Sequence, residues 1–338
     1  MNVLKKKSLL ALIGITSAAV VGGFAGCSSS SSDGTLAGTD GGTVGNDGST
    51  GGDGSAGGDG GTGGDSGGPT ATSTGYVNFT QFNIANAYSN NGSAQFYVLP
   101  AGFDLQCAGY GTATAPTATT AGCAIKVCSD PIVSDGGTTA NDGGTVISPN
   151  TGDITLKSAA DTTGVVLTAK SDGTYTPATS VTQWWAAADG TIEVKSNGSS
   201  SSIPAFDDLT LIGPGDVTSP MFNSTNIGTP VATPISFDRG TALAVTYSGG
   251  TAGTKFNVTL STTSTAKKSI ITCDFDAANG TESIAAADLG NLEKADGTAI
   301  TGAFSAQARY VKATTAGDFN FNVTLGATSH AGTFTNSN

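Results

Sequence analysis

Apolar residues alternate with polar residues through much of the chain after residue 75. The segments 256–260, 271–275 and 319–325 place an apolar side chain at every second position. Successive side chains of a β-strand point to opposite faces, so this period of two predicts strands with one buried face. The same pattern predicts further strands at 76–84, 94–99, 154–156, 165–169, 192–194, 209–212, 243–247 and 304–311.

Turn signals separate these segments. The dipeptides Asp172-Gly173, Asp189-Gly190 and Asn197-Gly198 are typical of hairpin turns, because Asp, Asn and Gly all accept a positive φ. A helical period is confined to one short turn at 284–289. The pattern therefore predicts an all-β fold built from antiparallel β-sandwiches.

A change in composition suggests a domain boundary near residue 217. The run 213–216 is rich in glycine and proline, and Pro220, Pro230 and Pro234 follow it. Proline has no N–H for a strand ladder, so this stretch interrupts regular sheet structure. We predict one β-sandwich domain at 75–217 and a second, of immunoglobulin or fibronectin size, at 218–338. A single larger sandwich is the alternative.

The chain between residues 28 and 74 has a different character. It consists largely of Gly, Ser, Thr and Asp, and it contains no Lys, Arg or aromatic residue. Such a segment buries too little apolar surface to offset the entropy lost on ordering. We therefore predict a disordered, extended tether in this part of the chain.

The first 26 residues read as a signal peptide. Lysines at 5–7 precede an apolar run at 9–21, which as a helix would reach only about 20 Å of the roughly 30 Å membrane core. The residues 24–27, Phe-Ala-Gly-Cys, resemble the lipobox of bacterial lipoproteins. That resemblance implies a lipidated Cys27 that anchors the chain, and Ser28, which is not Asp, implies the outer membrane. Ordinary secretion and an uncleaved membrane span are the alternatives.

A second, looser resemblance covers most of the region after residue 75. The cysteine-containing stretch 107–128, the segment 203–206 and the stretch 271–289 resemble poorly characterised surface lipoproteins of Gram-negative bacteria that carry a Gly/Asp-rich stalk. The resemblance implies an envelope location, on the periplasmic or cell-surface face, and a β architecture. It implies no activity.

Four cysteines remain once Cys27 is set aside. An even number in an exported protein favours two disulfides over a metal site. Side-chain parity in extended strands places Cys107 and Cys123 on inward faces and Cys128 on the opposite face from Cys123. We predict pairs Cys107–Cys123 and Cys128–Cys273, with a simple buried thiol at Cys273 as the alternative.

Composition excludes several classes of function. The net charge is −12, so a basic footprint for nucleic acid is absent. The chain has one histidine, which leaves almost no side chains for imidazole chemistry. The string at 64–69 matches the segment around the nucleophile of trypsin-like proteases, but the single histidine, His330, follows that serine in the chain instead of preceding it. We predict no cofactor and no metal site.

Two features remain as candidate sites. An exposed tryptophan at Trp184 or Trp185 would stack on a sugar ring, although a core position is the plainer interpretation. The adjacent carboxylates Asp207 and Asp208 would serve as acid and base if buried in a cleft. The sequence thus predicts a non-enzymatic structural or adhesive lipoprotein that contacts glycans or surface proteins. The alternative is a polysaccharide hydrolase or a carbohydrate-binding module.

Overall fold

A computed structural model describes residues 72–84, 87–99, 103–108, 110–114, 117–119, 122–131, 149–199, 203–207, 209–228 and 234–337. The regular structure in this part of the chain is almost entirely β, as predicted. Strands β1 to β20 are, in chain order, Thr72–Ile84, Ala87–Leu99, Tyr110–Ala113, Thr117–Ala118, Cys123–Pro131, Ile154–Lys157, Val165–Ala169, Tyr175–Thr176, Ala178–Ser180, Ile192–Ser196, Leu209–Leu211, Val217–Phe222, Thr225–Asn226, Ile235–Asp238, Leu243–Gly249, Lys255–Thr263, Lys267–Asp276, Thr281–Ile284, Thr301–Ala316 and Phe319–Ser337. Within the described ranges, a 3-10 turn, Leu105–Cys107, and one short helix, α1 at Ala286–Leu289, complete the elements.

The strands form three sheets. An 11-stranded sheet has the order β3-β5-β17-β16-β19-β20-β1-β2-β9, with β14 paired to β20 and β4 to β5. A 5-stranded sheet has the order β11-β10-β6-β7-β8, and a 4-stranded sheet has the order β13-β12-β15-β18. Nearly all pairings are antiparallel, but β20 pairs in parallel with β1 and with β14.

The two smaller sheets share hydrophobic cores with the large sheet. We call the first the tryptophan core, because it contains Trp184 and Trp185 between the 5-stranded sheet and the strands β1, β2 and β20. We call the second the disulfide core, because it contains Cys123 and Cys273 between the 4-stranded sheet and the strands β16, β17, β19 and β20. The molecule is therefore two sandwiches, side by side, that share one long sheet.

The hairpin of β19 and β20 belongs to both cores. On β19, Phe304 and Ala308 lie in the disulfide core, whereas Ala316 lies in the tryptophan core. All three positions are even-numbered, so both cores lie on the same face of the large sheet. We call this the inner face and the opposite one the outer face.

A β-bulge separates the two halves of this hairpin. Gln307 pairs with Ser329, whereas Arg309 pairs with Gly326, so Ala327 and Thr328 together oppose Ala308. Such a bulge bends and twists a strand locally. It lies where the hairpin passes from one core to the other.

The predicted strands all coincide with observed strands, and the short helical turn coincides with α1. Two of the three predicted turn dipeptides have the expected glycine conformation, with φ of 81° at Gly173 and 76° at Gly198. Strand β12 lies in the proline-rich stretch, and its register shifts at Pro220, between Thr218 and Met221. Strand β1 begins at Thr72, inside the predicted tether, whose other residues lie outside the described ranges.

The predicted division into domains at 75–217 and 218–338 requires correction. Residue 217 does mark the change from the 5-stranded to the 4-stranded sheet. The large sheet, however, joins β1 to β5 with β16, β17, β19 and β20, and residues on both sides of 217 contribute to each core. Sequence periodicity identifies strands but not their partners, so the shared sheet was not predictable from it.

All four predicted cysteines form disulfides, but the predicted pairing is wrong. The bonds are Cys107–Cys128 and Cys123–Cys273, so Cys273 is not a free thiol. Cys123 and Cys273 are direct partners in the register of β5 and β17 and face the disulfide core.

The error arises from the local structure around Cys107. Side-chain parity applies to extended residues, whereas 105–107 form a 3-10 turn, to which a period of two does not apply. Cys128 lies on the outer face, as its spacing from Cys123 predicts, and there it joins Cys107 and Ile270 in a small cluster. Lys126 anchors the same turn with an ion pair to Asp104 at 2.7 Å.

Candidate binding surface

The outer face of the large sheet presents a regular array of uncharged side chains, which we call the polar grid. Because β1, β2, β19 and β20 are neighbours in register, their outward residues fall into three rows of four. The rows are Ser93, Asn78, Thr324 and Val311; Gln95, Tyr76, Asn322 and Ala313; and Tyr97, Thr74, Asn320 and Thr315.

The grid follows directly from strand alternation. In β20, Phe319, Phe321 and Val323 are buried in the tryptophan core, and the intervening Asn320 and Asn322 are exposed on the other face. Neighbouring strands lie about 4.8 Å apart, and residues two apart on one strand are about 7 Å apart. The grid therefore covers about 14 Å by 14 Å.

The grid carries no formal charge at neutral pH. Its members are amides, hydroxyls, two tyrosines and two small apolar residues, of which Val311 is 40% exposed. An ion pair between Arg309 and Asp274, at 2.8 Å, lies just beyond the grid: Arg309 is the next residue on the same face of β19 after Val311, and Asp274 is on β17. Amides and hydroxyls both donate and accept hydrogen bonds, so the surface suits a neutral partner rich in hydroxyl groups.

A tyrosine pair forms one part of the grid. The hydroxyls of Tyr76 and Tyr97 are hydrogen-bonded to each other, and burial raises the pKa of both, most strongly that of Tyr97. Tyr97 is only 7% exposed. Both rings stay neutral at physiological pH and add apolar surface beside the amides.

The predicted tryptophan platform requires correction. Trp184 and Trp185 are both completely buried in the tryptophan core. Adjacent residues of a strand would face opposite ways, but 181–187 is not a strand, so both rings turn inward. Gln81 holds them there: its side-chain oxygen accepts from the Trp184 and Trp185 backbone N–H groups at 2.6 and 3.1 Å.

Of the two adjacent carboxylates, Asp207 and Asp208, only Asp207 lies in the described part of the chain. Asp207 is exposed and follows Phe206, which packs into the tryptophan core. Asp208 lies outside the described residues. A glycosidase acid is kept protonated by burial, and Asp207 lacks such an environment.

The lipidation site, Cys27, also lies outside the described residues. Within the described ranges, no cluster of three or more His, Cys, Asp or Glu side chains is placed to bind a metal ion. In that same part of the chain, no helix has the length and apolar character needed to cross a membrane.

Sequence reasoning missed the polar grid. The apolar positions of the alternation at 319–325 predict the buried face, and its polar positions predict the opposite face equally well. The pattern does not identify the neighbouring strand. In the structure β20 pairs in parallel with β1, which comes from the other end of the described chain. Only the topology brings Asn322 next to Tyr76.

No known protein family and no curated protein sequence matches the chain. Among solved structures, one match is a chain described as "Ca2+-stabilized adhesin helps an Antarctic bacterium reach out and bind ice". It is 14% identical with a TM-score of 0.16, and the match covers 79% of this chain and 74% of that chain. A TM-score this low carries no argument about fold or function.

Proposed function

We propose that this chain is a non-enzymatic lipoprotein of the bacterial outer membrane, in which a flexible stalk holds a glycan-adhesive β module away from the lipid. The polar grid is the observation that carries this proposal. It is an uncharged and partly exposed surface on the outer face of a continuous sheet.

The chemistry of the grid favours a glycan over a protein as partner. The buried centres of protein interfaces are enriched in aromatic residues, Met and Arg. The grid instead offers mostly Asn, Gln, Ser and Thr side chains, with only two tyrosines. A neutral polysaccharide carries hydroxyls that match these groups, and its repeating units suit a regular array.

The anchor part of the proposal rests on the sequence. Cys27 follows a short apolar segment and precedes the Gly/Asp-rich tether. A single acyl chain binds a membrane weakly, whereas two or three anchor a protein stably. Labelling of cells with radioactive palmitate tests this step: we expect incorporation into the full chain and none into Cys27→Ser. Equal labelling of both proteins would contradict it.

A glycan array tests the adhesive part. The purified full chain, with Cys27→Ser to keep it free of lipid, is expected to bind at least one neutral glycan. We expect Asn320→Ala combined with Asn322→Ala to weaken binding about tenfold, because two exposed hydrogen-bonding groups are lost. Thr333→Ala, exposed on the same strand but outside the grid, is the matched control and should bind normally. Absence of binding by the folded chain would refute the proposal.

A further inference from the structure

A small polar cleft lies where the two sandwiches meet. It has a volume of about 100 Å³, and its lining includes Gln81, Asn83, Tyr88, Gln183, Pro214 and Asp216. These residues come from the ends of β1 and β2, from the segment after β9, and from the link between β11 and β12. We call it the junction cleft.

The backbone and indole of Trp185 hold one side of the cleft rigidly. The Trp185 carbonyl oxygen accepts from the side-chain amides of Gln81 at 3.0 Å and Gln183 at 2.9 Å. The Trp185 indole N–H donates to the Pro214 carbonyl at 3.2 Å. Three lining residues are thus fixed by one fully buried tryptophan, and the cleft is preorganised.

Asp216 is fixed from the other direction. Its Oδ1 accepts from the backbone N–H of Thr328 at 3.0 Å and from the Thr328 hydroxyl at 2.6 Å. The Thr328 hydroxyl oxygen in turn accepts from the Asn83 backbone N–H at 3.1 Å. Both bonds to Asp216 use the same oxygen, and Oδ2 takes part in neither. The Asp216 side chain is therefore held in place through Oδ1 alone.

The set of groups indicates the class of ligand. A calcium site draws on several carboxylates and carbonyls, whereas this lining has one carboxylate, Asp216. The same negative charge disfavours an anion. Carboxylate, amide and phenol groups beside the ring of Tyr88 are suited to vicinal hydroxyls and the apolar face of a sugar. The volume admits several waters but not a chain of sugar rings.

We propose that the junction cleft binds one terminal sugar residue of a glycan, with Asp216 accepting from its hydroxyls and Tyr88 packing against its ring. This goes beyond the proposed function, because the cleft is built from inner-face positions of β1 and β2, whereas the polar grid lies on the outer face. Each site is testable without the other.

Saturation-transfer NMR tests the proposal with methyl glycosides of glucose, galactose, mannose and N-acetylglucosamine, on the full chain carrying Cys27→Ser. We expect at least one of these sugars to bind in the millimolar range. Tyr88→Ala should weaken that binding about tenfold, and Tyr88→Phe, which keeps the ring, should retain most of it. Asp216→Asn should also weaken binding, while its Oδ1 still accepts from Thr328.

Thr333→Ala, exposed on β20 and outside both the junction cleft and the polar grid, is the control and should leave monosaccharide binding unchanged. Because Tyr88 lies in the cleft and not in the grid, loss of binding in Tyr88→Ala separates the two proposals. The unfolding midpoint in urea establishes that each variant is folded. Absence of binding of all four sugars by the folded chain would overturn the proposal. So would binding that survives Tyr88→Ala, or a titration in which Ca²⁺ binds at the cleft and no sugar does.

Discussion

At the scale of single residues, Gln81 determines where the tryptophan pair lies. Its side chain is 8% exposed, and it makes hydrogen bonds to the Trp184 N–H, the Trp185 N–H and the Trp185 carbonyl oxygen. Buried polar groups of an irregular segment need such partners, because water does not reach them. The amide of Gln81 therefore lets a non-strand segment cross the edge of a hydrophobic core.

Gln81→Leu should lower the free energy of unfolding by about 2–3 kcal/mol, since the Trp184 and Trp185 N–H groups would lose their acceptor inside the protein. Chemical unfolding in urea, followed by tryptophan fluorescence, measures this loss. Thr80→Ala on the opposite face of the same strand is the control and should change stability by less than about 0.5 kcal/mol. Equal stability of Gln81→Leu and the wild type would show that these hydrogen bonds contribute nothing.

His330 makes the free energy of unfolding depend on pH in the acidic range. Burial lowers the pKa of His330 from its ordinary value of 6.5, against a smaller opposing effect of hydrogen bonds and of Asp216. The unfolded chain then binds this proton more readily than the folded one. Stability from the neutral imidazole is fully present above about pH 6.5 and is lost as the pH falls through the lower folded pKa.

The chain has one histidine, so this effect can be isolated by substitution. We expect the urea midpoint of the wild type to fall between pH 7 and pH 5, and His330→Gln to fall less over the same interval. The comparison of the two slopes is the measurement. An equally steep fall in the variant would assign the acid sensitivity to other groups.

At the scale of elements, the two disulfides constrain different parts of the large sheet. Cys107–Cys128 fixes the 3-10 turn to β5 over a sequence separation of 21. Cys123–Cys273 joins β5 to β17 over a separation of 150, within the disulfide core. In the chain-entropy account, the longer loop restricts the unfolded chain more.

Replacement of Cys107 and Cys128 by serine should therefore cost about 3 kcal/mol, and replacement of Cys123 and Cys273 about 5 kcal/mol. Unfolding in urea of the two double variants gives both values. The reverse order would mean that packing around each bond, and not loop length, sets its contribution. Peptide mapping by mass spectrometry checks the pairing itself.

At the scale of the whole molecule, the β19–β20 hairpin makes the two sandwiches dependent on each other. Phe321 lies in the tryptophan core and Phe334 in the disulfide core, on one continuous strand. Loss of either core would leave one half of the hairpin without its inner-face contacts. The two sandwiches should therefore unfold as one cooperative unit.

Coincident unfolding curves would be the signature of this unit. Tryptophan fluorescence reports on the tryptophan core alone, because both tryptophans lie there, whereas far-UV circular dichroism reports on all strands. We expect the two urea curves to superimpose. Phe334→Ala, in the other core, should shift both curves together to lower urea. Two separate transitions would instead support independent domains divided at residue 217.

The sequence predicts local structure well in this protein and long-range contacts poorly. Period-two alternation located the strands because each has one face in a core, as at Phe319 to Leu325. The pairing of β1 with β20, the shared sheet and the true disulfides depend on neighbours far apart in the chain. A local pattern holds no information on such partners.

The candidate sites show the same limit. Trp184 and Trp185 stood out by residue type, yet burial turns them into the support of the junction cleft. Asn320, Asn322 and Tyr88 lie in no distinctive sequence motif. The strand register places the two asparagines in the polar grid, and the packing of distant segments places Tyr88 in the lining of the junction cleft. Residue type therefore pointed to the region of the junction cleft, but not to the residues that we propose as ligand contacts.

Hydroxyl-radical footprinting of the chain, with and without a glycan that binds it, tests the central claim most directly. Val311, 40% exposed, lies in the polar grid, and Val166, 45% exposed on β7, lies outside it. Oxidation of the two valines is therefore comparable in the free protein. We predict that bound glycan lowers the oxidation of Val311 and leaves Val166 unchanged. Unchanged oxidation of Val311 with glycan bound would contradict the assignment of the polar grid as the adhesive surface.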